Sequence, residues 1–376
     1  MNFELLQILL DIALITAASY LIIIAAFTFG LYNLEDFFYV SNKKLTTKVS
    51  VLIAAKNEED NILGLLKSLY NQTFPKEYYE VIIVDDGSED KTSEIINSFI
   101  FDNGDFNITL LKGSGTGKKS AISQALHASK NELIVVTDAD CVLNSEWIES
   151  IVNFYQEKDC KMILAPVLLY PDNNIFEKMQ ILEHLSLIAS TAGSTSIGFP
   201  VMCNGANMAY EREAALKMEN LRRDFNIPSG DDMFLLEKFV KNYGSDKVKF
   251  LLNKSAIVKT KTSKTIKDFF RQRRRWVSKT KFYTNWKIIL TAFIVLFFNL
   301  SIITMFICAF FIPPLWSLYI LFTLLKFFID FPILKKITNY MNQGVLLKWM
   351  LPLEFIYPFY VVFTAFSGML ISVKWK

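Results

Sequence analysis

Hydrophobic and polar positions fall into three successive patterns along the chain. Residues 12–34 form an uncharged stretch of 23. As a helix rising about 1.5 Å per residue, this would reach about 34 Å, enough to cross a hydrocarbon core of about 30 Å. Between Ser50 and Cys141 short apolar runs alternate with amphipathic stretches: 51–55 before 58–70, 81–84 before 90–100, 108–111 before 118–129, and then 133–136. Continuous apolar strands separated by helices predict a parallel sheet covered on both faces. Residues 288–325 are then uncharged for 38 positions, interrupted by Pro313 and Pro314, and residues 355–373 are uncharged for 19. These predict a span before the prolines, one after them and a last one, about three in all. Lys326 and Asp330 fall inside the second, which is therefore expected to be tilted, re-entrant or interfacial, or a hydrophobic hairpin on the membrane surface.

Composition sharpens the division. Hydrophobic residues make up 52%, with 33 Phe and a mean hydropathy of +0.28, more than one additional core explains. Residues 1–41 carry only Glu4, Asp11, Glu35 and Asp36, and residues 285–376 carry nine charges, while 42–284 hold the other 64. The expected layout is an anchor over 1–41, a cytoplasmic domain over 42–263, an amphipathic interfacial helix within 264–284 and a transmembrane region over 285–376. This excludes a secreted disulfide scaffold, a disordered chain and a purely transmembrane carrier. No Lys or Arg precedes Lys43, so the first stretch lacks the basic start of a cleaved signal peptide. Lys43, Lys44 and Lys48 follow it, and the positive-inside rule places the middle domain in the cytoplasm, as expected for a bacterial inner-membrane protein. Lys335, Lys336 and Lys348 mark a cytoplasmic return; Lys374 and Lys376 would then end outside, against that rule. A net charge of +3 is too small to imply nucleic acid. Cys141, Cys160, Cys203 and Cys308 fit no CxxC or metal spacing and read as isolated reduced thiols.

Ligands of such sheets bind outside the carboxyl ends of the strands, where Asn57 and Glu58, Asp85 and Asp86, and Asp138 and Asp140 cluster. The glycine-rich run 113–120 is not a phosphate loop: Lys112 stands five positions before Gly117, and Lys119 replaces the Ser or Thr that should follow Lys118. GxGxxG fails as well. What remains is a loop feeding a helix start, where Lys118 meets a phosphate or is simply solvated. Asp138 and Asp140 alternate at a strand end, so both carboxylates can face the crevice and suit Mg²⁺ or Mn²⁺; a strand-end turn or cap explains the pair equally well. Ser229 with Asp232 three positions on is an S-x-x-D approximation to a capping box, and a capping carboxylate is also one fixed in place for catalysis. Over 264–281, Ile266, Phe269, Phe270 and Val277 make an apolar stripe, with Gln272, Arg275 and Trp276 along one edge and Lys264, Lys267, Arg271 and Arg274 elsewhere. That is an amphipathic helix for a membrane surface, and an anchoring role leaves Gln272 and Trp276 unexplained.

Taken in order, VSVLIAAKNEED, VIIVDDGSEDKT, GKKSAI, TDAD, NGAN, SGDD and QRRRW resemble the membrane-bound inverting glycosyltransferases of family 2, the group of cellulose, chitin and hyaluronan synthases and ceramide glucosyltransferase. The resemblance covers about residues 48–280 and implies an α/β nucleotide-sugar domain of the GT-A, Rossmann-like type, flanked by one N-terminal and about three C-terminal transmembrane helices. It implies that Ala54, Asn57 and Glu58 line the nucleotide pocket, that Asp86 meets a uracil, and that Lys118 lies near the nucleotide. It further implies that Asp138 and Asp140 bind nucleotide and metal, and that Asp232 is the general base, with Asp231 competing because Ser-Gly-Asp replaces the family's Thr-Glu. Gln272 and Arg275 would contact the diphosphate, and Trp276 would border the acceptor together with Gly205 and Asn207.

Such an enzyme displaces a nucleoside diphosphate in one step with inversion, a carboxylate taking the proton of the acceptor hydroxyl. The expected donor is a nucleotide sugar, in particular a UDP-sugar, and the acceptor a lipid or membrane-associated glycan, with envelope-biosynthesis partners. Two alternatives stay open: a processive β-polysaccharide synthase, for which four spans are few, and a catalytically silent scaffold.

Overall fold

The apolar runs become strands because their Val, Ile and Leu side chains are covered on both faces: Val51, Leu52, Ile53 and all four residues from Leu133 to Val136 are wholly buried. The computed structural model describes residues 3–39, 46–115, 117–219 and 231–370. Lys43, Lys44, Ser229, Lys374 and Lys376 lie outside the described residues. Two compact units emerge, Glu35–Tyr170 with Met202–Lys261, and Met1–Leu34 with Pro171–Val201 and Thr262–Val373.

The first unit is built on β1 (Val49–Ala55), β2 (Tyr79–Asp85), β3 (Ile108–Lys112), β4 (Leu133–Val136), β5 (Met162–Leu164), β6 (Val167–Tyr170), β7 (Met208–Glu211), β8 (Val248–Phe250) and β9 (Val258–Lys261). Seven strands form one sheet in the order β3-β2-β1-β4-β7-β5-β8. The four strands from β3 to β4 are parallel, as the alternation with helices predicts. β7 then runs antiparallel to both β4 and β5, making the whole sheet mixed. This reversal has a functional result: the segment leading into β7 lies at the same edge as the carboxyl ends of β1, β2 and β4. A separate parallel pair, β6 with β9, is tied to the main body by a bridge between Val142 and Lys259.

Boundaries shift where single residues demand it. The helix expected over 58–70 begins only at Ile62: residues 58–61 form a turn first, in which the Asn61 and Ile62 amides both donate to the Glu58 carbonyl at 2.9 Å. The helix expected within 264–281 runs Ile266–Val277, started by Thr265, whose hydroxyl accepts the Asp268 amide at 3.1 Å.

The second unit is helical. Among the described residues, four of its stretches are long and apolar enough to cross a membrane: Gln7–Asn33, Trp286–Ala309, Leu315–Tyr340 and Gly344–Met369. Leu315–Tyr340 runs as one helix through Lys326 and Asp330. Both charges are paired inside the protein: Lys326 is 2% exposed, and its ammonium binds Asp330 at 2.6 Å and Glu354 at 2.7 Å. The Tyr20 hydroxyl donates to both Asp330 oxygens at 2.9 Å.

A further helix, Ile175–Ser196, was not singled out by the sequence pattern. Asn174 and Glu177 close a capping box at its start, and it packs on Phe3–Asn33 at a glycine crossing. A methyl group added at Gly30 would stand 2.1 Å from the Gly193 carbonyl oxygen, and one at Gly193 would stand 2.0 Å from that of Phe27. The backbones touch here, and only glycine permits it. Ile266–Val277 lies on the last helix through Phe270 against Phe363, with Val277 against Gly368.

Candidate active site

Three strands of the sheet unit deliver carboxylates to one edge. Past β1, the Glu58 amide donates to the Thr92 hydroxyl at 2.7 Å, and its carboxylate accepts from the Asn61 amide at 2.6 Å. Burial first, and the negative charges of Asp140, Asp138 and Asp90 with it, push the Glu58 carboxyl up to about 6 against the Asn61 hydrogen bond. Past β4 stand Asp138 and Asp140. Asp140 is raised above the ordinary carboxylate range by burial and then by Asp138, and it accepts a hydrogen bond from Thr260 at 3.1 Å. Lys118, the first residue of the helix after the glycine-rich loop, forms an ion pair with Asp138. The crevice thus holds more negative charge than its own lysine offsets.

Past β2 the two aspartates divide. Burial works against Asp85, but the hydroxyls of Ser93 and Ser88 and the Ser88 amide hold its carboxyl below the usual range. Asp86 is buried, and both of its oxygens accept from the Gly117 amide, at 2.8 and 3.0 Å. Gly117 has φ +91°, which glycine tolerates and a side chain rarely does; Asp86 and Gly117 together set the path of the loop into Lys118. Ala54 lies within β1 opposite Val84. Asn57 is exposed, its side-chain oxygen accepting the Glu89 amide at 2.8 Å.

The reversed strand supplies the remaining parts. Ahead of β7, the Gly205 amide points to Asp232 Oδ2 at 3.3 Å, and Asp232 stands in the first turn of Asp231–Tyr243. A methyl group built on Gly205 would lie 3.6 Å from Lys118 Nζ and 3.5 Å from Asp232 Cβ. Gly205 therefore places the Asp232 carboxylate in the same crevice as the Lys118–Asp138 pair. Asp231 opens the same helix, with its side chain outside the described part. Asn207 is placed otherwise: it is wholly buried, its amide nitrogen donates to Pro166 and Ala256 carbonyls at 2.7 and 2.8 Å, and its oxygen accepts from the Trp147 indole at 3.0 Å. Its side chain ties β7 to the core and has no group to offer an acceptor.

Gln272, Arg275 and Trp276 belong to the helical unit, on Ile266–Val277. Between them sits Arg273, 4% exposed and ion-paired to Glu183. The sequence pattern passed over Arg273, as it did Thr260. Only the partner from a distant segment distinguishes either one.

Among the described residues no three His, Cys, Asp or Glu side chains stand together as a metal cage. Asp138 and Asp140 fit a hard divalent cation by their oxygen donors and by the excess negative charge of the crevice, the remaining positions falling to other oxygen ligands. None of the four cysteines is in a disulfide.

Residues 50–218 match the model of Glycosyl transferase family 2. A beta-monoglucosyldiacylglycerol synthase of Nostoc is 35% identical over 137 residues, covering 36% of this chain and 29% of that protein. A poly-beta-1,6-N-acetyl-D-glucosamine synthase of Staphylococcus epidermidis is 27% identical over 175 residues, covering 45% of this chain and 40% of that one. The chain thus spans less than half the length of these curated relatives. In structure, a mannosyltransferase of Pyrobaculum calidifontis, solved in complex with GDP-Man and Mn²⁺, aligns over 90% of this chain and 99% of its own with a TM-score of 0.57 and 15% identity, a likeness of fold. Residues 50–218 thus resemble a glycosyl transferase family 2 domain, in a chain that shares the GT-A fold.

Proposed function

We propose that this family 2 domain moves a sugar from a nucleotide sugar to a lipid or membrane-associated acceptor, with inversion at the anomeric carbon. The observation that supports it best is the approach at Gly205 of a candidate base, Asp232, to the Lys118–Asp138 pair. In this reading Asp232 accepts the proton of the acceptor hydroxyl as that oxygen attacks, and Lys118 stands where the leaving diphosphate gathers charge. Asp138 and Asp140 would hold Mg²⁺ or Mn²⁺, which when bound offsets that same developing charge. Glu58, Asn57, Ala54 and Asp86 frame the nucleotide side, Gln272 and Arg275 serve the diphosphate, and Trp276 with Gly205 serves the acceptor.

The four long apolar helices support a chain that spans a membrane, with Lys48 and the basic residues around Lys335 on the cytoplasmic side. A glycolipid product accords with the likeness to a beta-monoglucosyldiacylglycerol synthase, and a processive polysaccharide with that to a poly-beta-1,6-N-acetyl-D-glucosamine synthase; product size separates them.

The test incubates the purified full chain with labelled UDP-glucose, UDP-N-acetylglucosamine and GDP-mannose in turn, with Mn²⁺ and a total lipid extract. A labelled lipid carrying one sugar is expected. Asp232→Asn should abolish transfer while donor binding persists, because the amide keeps the shape and cannot take the proton. Transfer that survives Asp232→Asn and disappears only in Asp231→Asn moves the base by one residue. No transfer and no donor hydrolysis with any donor would leave a silent scaffold.

A further inference from the structure

The buried partner of Arg273 gives it a role that the proposed chemistry has not used. Arg273 Nη2 pairs with Glu183 Oε2 on Ile175–Ser196, and Glu183 Oε1 accepts the Tyr360 hydroxyl at 3.1 Å. Three helices thus fix one guanidinium. Two of its remaining features point back along its own helix. Arg273 Nη1 donates to the side-chain oxygen of Gln272 at 3.0 Å, and its guanidinium carbon stands 4.1 Å from the centre of the Trp276 ring and 4.7 Å from that of Phe269.

We propose that Arg273 is a positioning residue: held by Glu183, it orients the Gln272 amide and the Trp276 ring, the two neighbours assigned above to the diphosphate and the acceptor. The inference rests on that reading of Gln272 and Trp276.

The physical case has two parts. A buried ion pair contributes little net stability, since desolvating both partners offsets most of their attraction, and apolar residues of similar volume often serve a fold as well or better. Arg273 is also imperfect as a clamp, because its Nε–H finds no hydrogen-bond partner among the described residues. A guanidinium, in contrast, meets two requirements at once that no apolar side chain meets: it donates in a plane to the Gln272 oxygen, and it lies flat on an aromatic face. With its Oε1 occupied by Arg273, the Gln272 side chain is left its NH₂ end to donate, the polarity that a diphosphate oxygen accepts.

The conservative variant separates positioning from support. Arg273→Lys keeps a cation beside Glu183 but loses the planar donor and the stacking. Transfer measured with the donors and lipid extract above is expected to fall roughly tenfold or more in kcat/KM for acceptor, with the unfolding midpoint close to that of the wild type. Adding Trp276→Leu to Arg273→Lys should cost less than twofold further, since both changes remove the same arrangement. Should Arg273→Lys fold poorly, the paired exchange Glu183→Leu with Arg273→Met replaces the ion pair by apolar packing and is expected to be stable yet slow. Wild-type transfer in either stable variant, while Gln272→Ala and Trp276→Leu are impaired, overturns the positioning role and leaves the site intact. A loss that merely follows falling stability, or full independence of Trp276→Leu and Arg273→Lys, overturns it as well. Wild-type transfer in both Gln272→Ala and Trp276→Leu would remove this helix from the site and Arg273 with it.

Discussion

Replacing Glu58 by Gln should make the protein more stable at neutral pH and less active. Its carboxyl is raised from 4.5 to about 6, and each unit is about 1.36 kcal/mol of difference between the charged and neutral forms. The full shift corresponds to about 2 kcal/mol, and because the side chain keeps part of its contact with water, screening leaves about 1 kcal/mol. The sign follows from the direction. A carboxyl raised on folding favours the native state most below about pH 4.5, and that contribution is lost as the pH rises through about 6. At pH 7.5 the ionised Glu58 therefore costs stability that Gln would not. In a unit of this size, about 1 kcal/mol displaces the unfolding midpoint by about 2–4 °C. Thermal unfolding of the metal-free, detergent-solubilised chain at pH 4.5 and 7.5 measures it: Glu58→Gln should gain these degrees at 7.5 and almost nothing at 4.5. Equal midpoints at both pH values, or a lower one at 7.5, would refute the reasoning and show that the fold compensates this charge. Transfer should fall in the same variant, as expected where a site holds charges that the fold alone would not favour.

Chelation with EDTA should stop transfer and Mn²⁺ should restore it, whereas Asp140→Ala should not recover at ordinary metal concentration; full activity in the chelated sample refutes the metal assignment. Lys326→Met strands two carboxylates within the helical unit and should cost about 3–5 kcal/mol, whereas Glu354→Gln, which leaves one cation facing one anion, should cost less than about 1 kcal/mol; denaturation of both variants in detergent compares them. Gly193→Val must push the two helix backbones apart and should destabilise the helical unit by about 1–3 kcal/mol or more, while metal-dependent donor binding, read by a fluorescent nucleotide, changes far less.

The sheet and its acidic edge were legible because both depend on local pattern. Runs such as 51–55 and 133–136 are apolar without a break, and a carboxylate just past such a run has one place to go. The double proline likewise marked where Trp286–Ala309 ends and Leu315–Tyr340 begins. What escaped depends on partners distant along the chain. Arg273 reads as one more cation in a basic helix until Glu183 is placed beside it, and Ile175–Ser196 mixes Ser, Thr, His and Glu with its apolar residues, so its periodicity is weak. Asn207 shows the reverse error: a motif suggested a functional side chain where the fold needs three buried hydrogen bonds. The charges at Lys326 and Asp330 stood out in an apolar span, but a lone sequence cannot display the third partner, Glu354, that closes their cluster.

The crossing of Gly30 with Gly193 also sets a timetable for synthesis. The two glycines are about 160 residues apart, so at about 5–20 residues per second a ribosome needs on the order of ten to thirty seconds to deliver the second after the first. Throughout that interval the first helix must wait with its glycine notch unfilled, while β1 to β4 emerge and can begin to pair. The segment that fills the notch lies inside residues 50–218, the stretch matched to the family, so cutting the chain to that stretch would release a helix that has lost its mate. A soluble fragment made in this way should aggregate, and the first helix is better regarded as a late-closing half of a joint than as a tether added in front of an enzyme.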